Sequence, residues 1–261
     1  MRSYHGSREP MPTATTSFIQ GASRGLGLEF VRQLLAVNDG TSVFASCRNP
    51  ENAAELQSLK SQSSGRLRIL KLDVSDEKTI LKAAKQLEEQ DERVSLIINV
   101  AGVLHGPGFS PEKKLAQVSP QALRAVFEVN AFGPLLVAKH FHRMLRHDRR
   151  SVFASLSARI GSISDNHLGG WYAYRGSKAA QNMFTKPLSI ELGQVAPNAV
   201  VIGLHPGTVD TRLSEPFQNG VPKDKLFTPE YSVARLLAVI SNVTSTDTGK
   251  VFDFRGEEVF P

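Results

Sequence analysis

Residues Thr16 to Gln20 read as a short strand, and Leu28 to Val37 places Leu28, Val31, Leu34 and Leu35 at helical spacing. Between them lies Gly21-Ala22-Ser23-Arg24-Gly25-Leu26-Gly27. A strand, a glycine turn and a helix in that order open a βαβ unit of the kind that holds a dinucleotide. Glycines let backbone N–H groups approach a pyrophosphate, and the helix N-terminus adds a favourable dipole. The spacing is G-x-x-x-G-x-G, not the commoner G-x-G-x-x-G.

The rest of the chain continues the alternation. Asn38-Asp39-Gly40 reads as a helix stop, and Ser42 to Cys47 as a second strand ending at Arg48. In a βαβ unit that strand end meets the adenosine ribose, where a carboxylate would bond the 2′-hydroxyl and an arginine would accommodate a 2′-phosphate. With Arg48 there, no carboxylate, and Arg24 in the turn, the expected cofactor is NADP(H). Leu67 to Leu72 is a strand leading to Asp73, Glu77 to Leu87 is helical, and Val94 to Ile98 is a strand leading to Asn99. Ser119-Pro120 is an N-cap followed by proline at the first helical position. The helical pattern runs from there toward Leu145, with a bend at Gly133-Pro134. Ser151 to Ser155 is a strand, Trp171 onward is helical, and Ala199 to Leu204 is a buried strand. Thr228-Pro229-Glu230 opens a last helix before a strand at Lys250 to Phe254. The pattern predicts an α/β fold: a doubly wound (Rossmann-type) parallel sheet with helices on both faces, as one domain over 16–261. Residues 1–15, polar with Pro10 and Pro12, are expected to be a disordered extension.

Composition narrows the classes. No apolar run reaches the eighteen or so residues of a membrane span. Cys47 is the only cysteine, which excludes an intrachain disulfide and a cysteine-built metal site and suits a reducing compartment such as the cytoplasm. The net charge of +6 points to an anionic partner, but the basic residues are scattered. A phosphorylated small molecule is therefore expected, not nucleic acid. His105, His140, His142, His147, His167 and His205 show no metal-ligand spacing, so no metal is expected.

The chemistry centres on Gly170-Trp171-Tyr172-Ala173-Tyr174-Arg175-Gly176-Ser177-Lys178. Tyr174 and Lys178 are one helical turn apart on the same face. A free phenol has a pKa of about 10, and a fixed positive charge beside it brings that value down. Taken with Gly21-x-x-x-Gly25-x-Gly27, Asp73, Asn99-Val100-Ala101-Gly102, Asn130 and Pro206-Gly207-Thr208-Val209-x-Thr211, the chain resembles the short-chain dehydrogenase/reductase family from about Ser17 to Asp253. Gln20 departs from the usual threonine and Val100 from the usual asparagine. Leu156 to Ile163, with Gly169-Gly170-Trp171, is similar to the C-factor and sniffer-like carbonyl reductase branch.

The resemblance implies an NADP(H)-dependent reductase of small or medium apolar carbonyl compounds: aldehydes, ketones or quinones. Tyr174 would be the general acid/base. Lys178 would tune it and hold the nicotinamide ribose, while Asn130 would hold a water linking Lys178 to solvent. Ser23, Leu26, Val74 and Ala101 join the cofactor set with the residues already named. The carbonyl-orienting serine is assigned to Ser157, with Ser162 as the alternative. The family pattern Ser-Ser-x-x-Gly, aligned on Gly161, puts Ala158 at the catalytic place. The pocket should be walled by Val103 to Phe109, by Trp171 and by a mobile segment from Val209 to Phe227 that includes Leu213, Phe217, Leu226 and Phe227. Pro187 should kink the helix beyond Lys178. Family members often assemble through two long central helices, which implies a homo-oligomer. The competing class is a regulatory or signalling protein that keeps the cofactor fold with little turnover.

Overall fold

Strands with apolar side chains on both faces need a covering layer on each side, and helices supply both layers here. The computed structural model describes residues 15–37, 40–90 and 93–261. The expected extension and the Asn38-Asp39 turn lie outside these, apart from Thr15 and Gly40. Among the described residues the strands are β1 (Thr16–Gln20), β2 (Ser42–Cys47), β3 (Leu67–Lys71), β4 (Val94–Asn99), β5 (Ser151–Leu156), β6 (Ala199–His205), β7 (Thr208–Val209), β8 (Leu226–Phe227) and β9 (Val251–Asp253). The helices are α1 (Gly25–Val37), α2 (Ala54–Gln62), α3 (Glu77–Glu88), α4 (Pro120–Phe127), α5 (Gly133–Phe141), α6 (Tyr172–Val195) and α7 (Pro229–Asn242). Seven strands form one parallel sheet in the order β3-β2-β1-β4-β5-β6-β9, and β7 pairs with β8 separately.

Successive strand residues point to opposite faces and divide the core in two. Ile19, Val43, Ile98, Ala154 and Ile202 pack with Leu28 and Leu34 of α1, Leu56 of α2 and Leu236 of α7. Their neighbours Phe18, Phe44, Ile97, Phe153 and Val201 pack with Ile80 of α3, Phe141 of α5 and Leu192 of α6. Both faces of β1, β2, β4, β5 and β6 are thus buried, which is why these strands read as apolar runs, whereas the edge strand β3 exposes Arg68 and Lys71. The doubly wound sheet expected from the pattern is the observed fold.

Three local features refine that expectation. α2 carries no strong apolar stripe, with Leu56 its only buried residue, and escaped the periodicity reading. The helix opening at Ser119, whose Oγ accepts from the Ala122 N–H at 3.1 Å, does not merely bend at Gly133-Pro134. It widens into a π-helical turn over Glu128–Phe132 before α5 begins. Pro134 has no N–H to continue an α ladder, and the wider turn accommodates that loss. α6 runs unbroken through Pro187. Pro187 and Met183, whose carbonyl loses its donor, are both exposed, so water can serve that carbonyl.

At the carboxyl ends of the strands the apolar register gives way to a polar row. Gln20 pairs with Ser46 on one side and Asn99 on the other, and Asn99 pairs with Ser155. The strand order reverses between β1 and β4, and a crevice at such a switch point is where ligands bind in open α/β sheets.

Candidate active site

The glycine turn is built for close backbone approach. Gly21 has φ +84°, and a Cβ there would stand 2.6 Å from the Ala101 nitrogen. At Gly27 a Cβ would stand 2.1 Å from the Gly21 carbonyl oxygen, so the turn folds onto α1 only without a side chain. The Gly21 and Ala22 N–H groups donate to the Ser46 carbonyl at 3.0 and 2.9 Å. Gln20, the departure from threonine, has a job here: its Oε1 accepts from the Ala101 N–H at 3.1 Å. With the Val100 N–H on the Gln20 carbonyl at 3.0 Å, it ties β1 to the 99–102 segment. Ser23 is half-buried in the turn and Leu26 packs onto the core.

The other expected cofactor residues ring the same crevice. Arg24 and Arg48 are exposed, and neither guanidinium has a partner among the described residues. Asp73 Oδ1 accepts from the Ser75 N–H at 3.0 Å and its hydroxyl at 2.7 Å. Val74 is buried against α5, where a Cβ on Gly133 would come within 2.7 Å of it. Asn99 donates to Ser155 Oγ at 3.2 Å, while its Oδ1 is buried without a partner. Across the crevice Gly207 has φ +80°, the Ser232 hydroxyl donates to the Pro206 carbonyl at 2.8 Å, and Val209 is buried. The Thr211 methyl lies 3.6 Å from where a Gly25 Cβ would be. A side-chain-free cradle, an orphaned amide oxygen and two unpaired guanidinium groups fit an anionic dinucleotide.

Tyr174 and Lys178 share one face of α6 as the spacing required. The Lys178 Nζ lies 5.9 Å from the Tyr174 ring centre, and both side chains are buried. Their electrostatics differ from expectation. Lys178 donates to the Leu156 carbonyl at 2.6 Å and to Gln181 Oε1 at 3.0 Å, not to the phenol. Burial dominates both groups. It pushes the Tyr174 phenol up to about 12 and the Lys178 ammonium down to about 7. The phenol makes no hydrogen bond with any described residue. Gly161 allows this arrangement, since a Cβ there would meet the Lys178 Cβ at 2.8 Å.

Asn130 lies in the π-helical turn, fully buried. Its Oδ1 accepts from the Val103 N–H and its Nδ2 donates to the Val103 carbonyl, each at 2.8 Å. A third bond runs from Nδ2 to Ser177 Oγ at 3.1 Å. The side chain therefore clamps the 101–104 segment onto α6. Any water it helps hold would use the main chain. A Cβ on Gly102 would lie 3.5 Å from Asn130 Oδ1 and 4.0 Å from Lys178 Nζ, so the three residues border one space.

The serine expectation meets a different geometry. Ser157 is buried and its hydroxyl donates to Asn182 Oδ1 at 2.6 Å. Ser162 Oγ contacts Ser164 Oγ at 3.2 Å and accepts from the Asp165 N–H at 3.2 Å, closing a local turn. Ala158 instead packs against the cluster that holds Tyr174. Its backbone is extended, φ −155° and ψ 147°, so neighbouring side chains diverge, and Ser157 and Ala158 face opposite ways. Among the described residues the Tyr174 phenol is the uncommitted hydroxyl at the cluster.

The three expected pocket segments do converge. Leu104, Val126, Ala173 and Tyr174 form a buried cluster flanked by Val103, Phe109, Leu123, Trp171, Leu213 and Phe217. Phe227 is not part of it; its ring packs on Phe254 at 4.7 Å and Tyr231 at 5.1 Å, at the base of the 209–227 segment. The expected mobile cover is thus anchored at its base, where β7 pairs with β8, and in its middle by Phe217 on Trp171 at 5.1 Å. Gln181, Asn182 and Glu112 were missed. Gln181 stands three residues from Lys178 and helical spacing could have found it. Glu112 Oε2 accepts from the Ala173 N–H at 3.2 Å across sixty residues of chain, and no local signal announces it.

Among the described residues no group of His, Cys, Asp and Glu is arranged to hold a metal ion, and no helix is long and apolar enough to cross a membrane. The short chain dehydrogenase family matches residues 15–221. C-signal of Myxococcus xanthus is 36% identical over 145 residues, covering 56% of this chain and 82% of that protein. The crystal structure of NADPH-bound carbonyl reductase from chicken fatty liver has a TM-score of 0.85 at 29% identity, covering 95% of this chain and 94% of that one. Carbonyl reductase Sniffer of D. melanogaster has a TM-score of 0.84 at 26% identity, covering 95% and 100%. A doubly wound parallel sheet, a glycine turn and a Tyr–Lys pair read from the residues thus meet independent likeness, and the chain belongs to the short-chain dehydrogenase/reductase family of oxidoreductases, in the C-factor and sniffer-like carbonyl reductase branch.

Proposed function

We propose that the protein is an NADPH-dependent reductase of small or medium apolar carbonyl compounds (aldehydes, ketones or quinones), with Tyr174 as general acid. The observation that carries this reading is the Tyr174 phenol, without a hydrogen bond to any described residue, in an apolar cluster one turn from a buried lysine. Bound NADPH would supply the hydride. Tyr174 gives its proton to the carbonyl oxygen, and a phenol held near 12 is protonated at neutral pH without any preparation. Serving as base in the reverse direction needs the phenolate. Lys178, near 7, is the group that returns a proton to the phenol and, in the cofactor complex, holds the nicotinamide ribose. Asn130 keeps the 101–104 wall in register with α6.

NADPH over NADH is favoured by Arg24 and Arg48, exposed and without a partner among the described residues at the expected 2′-phosphate position, with Cys47-Arg48 in place of a carboxylate. The NADPH bound in the chicken carbonyl reductase agrees with this reading. The expectation of Ser157 as carbonyl-orienting donor would require its hydroxyl to leave Asn182, so we assign that polarisation to Tyr174 alone. A homo-oligomer is supported by exposed Phe132 and Leu135 near the start of α5 and by Met183 and Ile190 on α6. A single buried cysteine suits the cytoplasm.

A signalling role with little turnover is the second reading, favoured by the likeness to C-signal. One experiment separates the two. NADPH consumption is measured with a panel of aldehydes, ketones and quinones for the wild type and for Tyr174→Phe. Turnover lost in the variant supports the enzyme; a silent panel, or biological activity untouched by the substitution, sinks it.

A further inference from the structure

The entrance to α6 is stranger than its role as a helix start requires. Gly169, Gly170 and Trp171 are all left-handed, with φ of +66°, +65° and +52°. Two glycines adopt this conformation freely, but a bulky side chain there is a strained outlier. An ordinary helix entry uses an extended N-cap with a side-chain acceptor, and Trp171 offers none. Glu112 replaces it from a distant loop. Its main-chain carbonyl accepts from the Trp171 N–H at 2.5 Å and its Oε2 accepts from the Ala173 N–H at 3.2 Å. The Glu112 side chain is buried, with Oε1 unpartnered, and a Cβ on Gly170 would stand 3.1 Å from the Glu112 carbonyl.

What this arrangement achieves is the placement of one ring. The indole stands 6.2 Å from the Tyr174 ring at 72°, and 5.1 Å from the Phe217 ring at 61°. Backbone strain tends to persist where the surroundings enforce a functional geometry, and here the enforced object lies between the acid and the cover. Aromatic walls meeting at steep angles match a flat unsaturated ring better than a puckered ring of the same size.

We propose that Trp171, held by the left-handed turn and by Glu112 as a positioning residue, is the specificity-determining wall of the site and selects carbonyl compounds whose C=O is attached to a flat unsaturated ring. The proposal rests on the carbonyl-reducing reading above. In the reaction a hydride adds to the carbonyl carbon, the C=O π pair moves to oxygen, and oxygen takes the Tyr174 proton to give the alcohol.

The test compares benzaldehyde with cyclohexanecarbaldehyde, similar in size but flat against puckered, in the NADPH-loaded wild type, Trp171→Gly, Trp171→Phe and Glu112→Ala. Glycine adopts φ near +52° without strain, so Trp171→Gly removes the indole without burdening the backbone. Its ratio of kcat/KM for benzaldehyde over cyclohexanecarbaldehyde should fall about 3- to 10-fold, mostly through KM for benzaldehyde. Trp171→Phe should restore the ratio to within about 2-fold, and Glu112→Ala should lower it through KM with kcat for the saturated aldehyde less affected. Because Trp171 is the only tryptophan, its emission gives a second readout. Benzaldehyde should quench it saturably and cyclohexanecarbaldehyde should not. Equal losses for both aldehydes, or no saturable quenching, overturn the proposal alone. Turnover of neither aldehyde by the wild type removes the carbonyl-reducing reading and the proposal together.

Discussion

Replacing Lys178 with Met should stabilise the protein near neutral pH while abolishing turnover, and the gain should vanish in alkali. Burial takes the ammonium from an ordinary 10.5 to about 7. At about 1.4 kcal/mol per pH unit, holding the charged lysine in the fold at or below neutrality costs roughly 4–5 kcal/mol. Met has a similar length and no charge. It leaves the Leu156 carbonyl and Gln181 Oε1 without their donor, a loss of about 1–3 kcal/mol. The net expectation is a gain of about 1–4 kcal/mol near pH 7. The sign with pH follows from the lowered folded-state pKa. Between about 7 and 10.5 the unfolded chain binds the proton and the folded one does not, so wild-type stability rises with pH across that window. By about pH 10 the variant should therefore be no more stable than the wild type, a change in the difference of roughly 3–4 kcal/mol. Urea unfolding followed by far-UV circular dichroism at several pH values measures this directly. A difference that stays constant with pH, or a variant less stable near neutrality, would refute the account of a lysine held at a desolvation cost.

Other outcomes follow from single contacts. Ala158→Ser puts a hydroxyl on the face Ala158 presents to the Tyr174 cluster, and kcat/KM for simple ketones should rise on the order of tenfold, measured by NADPH consumption. Gly27→Ala drives a Cβ into the Gly21 carbonyl and should cost about 1–3 kcal/mol in thermal or urea unfolding, together with a loss of NADPH affinity; Gly65→Ala, with φ +81° but nothing within 4 Å, should cost only about 1–2 kcal/mol and leave NADPH titration unchanged. His205 has a buried Nδ1 with no partner and is held down near 4, chiefly by burial and secondarily by Arg159, with Asp253 opposing and Arg255 adding to the effect. Its folded-state value lies below the unfolded 6.5, so it contributes a stability that is lost as pH falls from about 6.5 to 4, up to about 3 kcal/mol; His205→Gln should flatten that limb of a pH–stability curve.

The sequence alone determined the features that depend on near neighbours along the chain. Apolar runs at strand length, helical spacing at Leu28–Leu35, and the Ser119-Pro120 and Thr228-Pro229 caps are local, and they appear as β1 to β6, α1, α4 and α7. The four-residue interval from Tyr174 to Lys178 is likewise fixed by helix geometry once the helix exists. Where the local signal was weak the reading failed: α2 has one buried residue, and the π-helical turn has no period of its own.

Only the tertiary structure decided which groups meet. Burial, not the Tyr–Lys interval, sets the protonation of both residues, and burial is a property of everything packed around them. Ser157 and Ala158 are adjacent in sequence, yet an extended backbone sends one to Asn182 and the other to the Tyr174 cluster. Asn130 grips Val103 and Ser177, and Glu112 caps α6, across stretches of chain that no spacing rule spans. The reason is common to all of these: a hydrogen bond or a desolvation cost depends on distance in space, and only the folded sheet and its helices bring those distances into being.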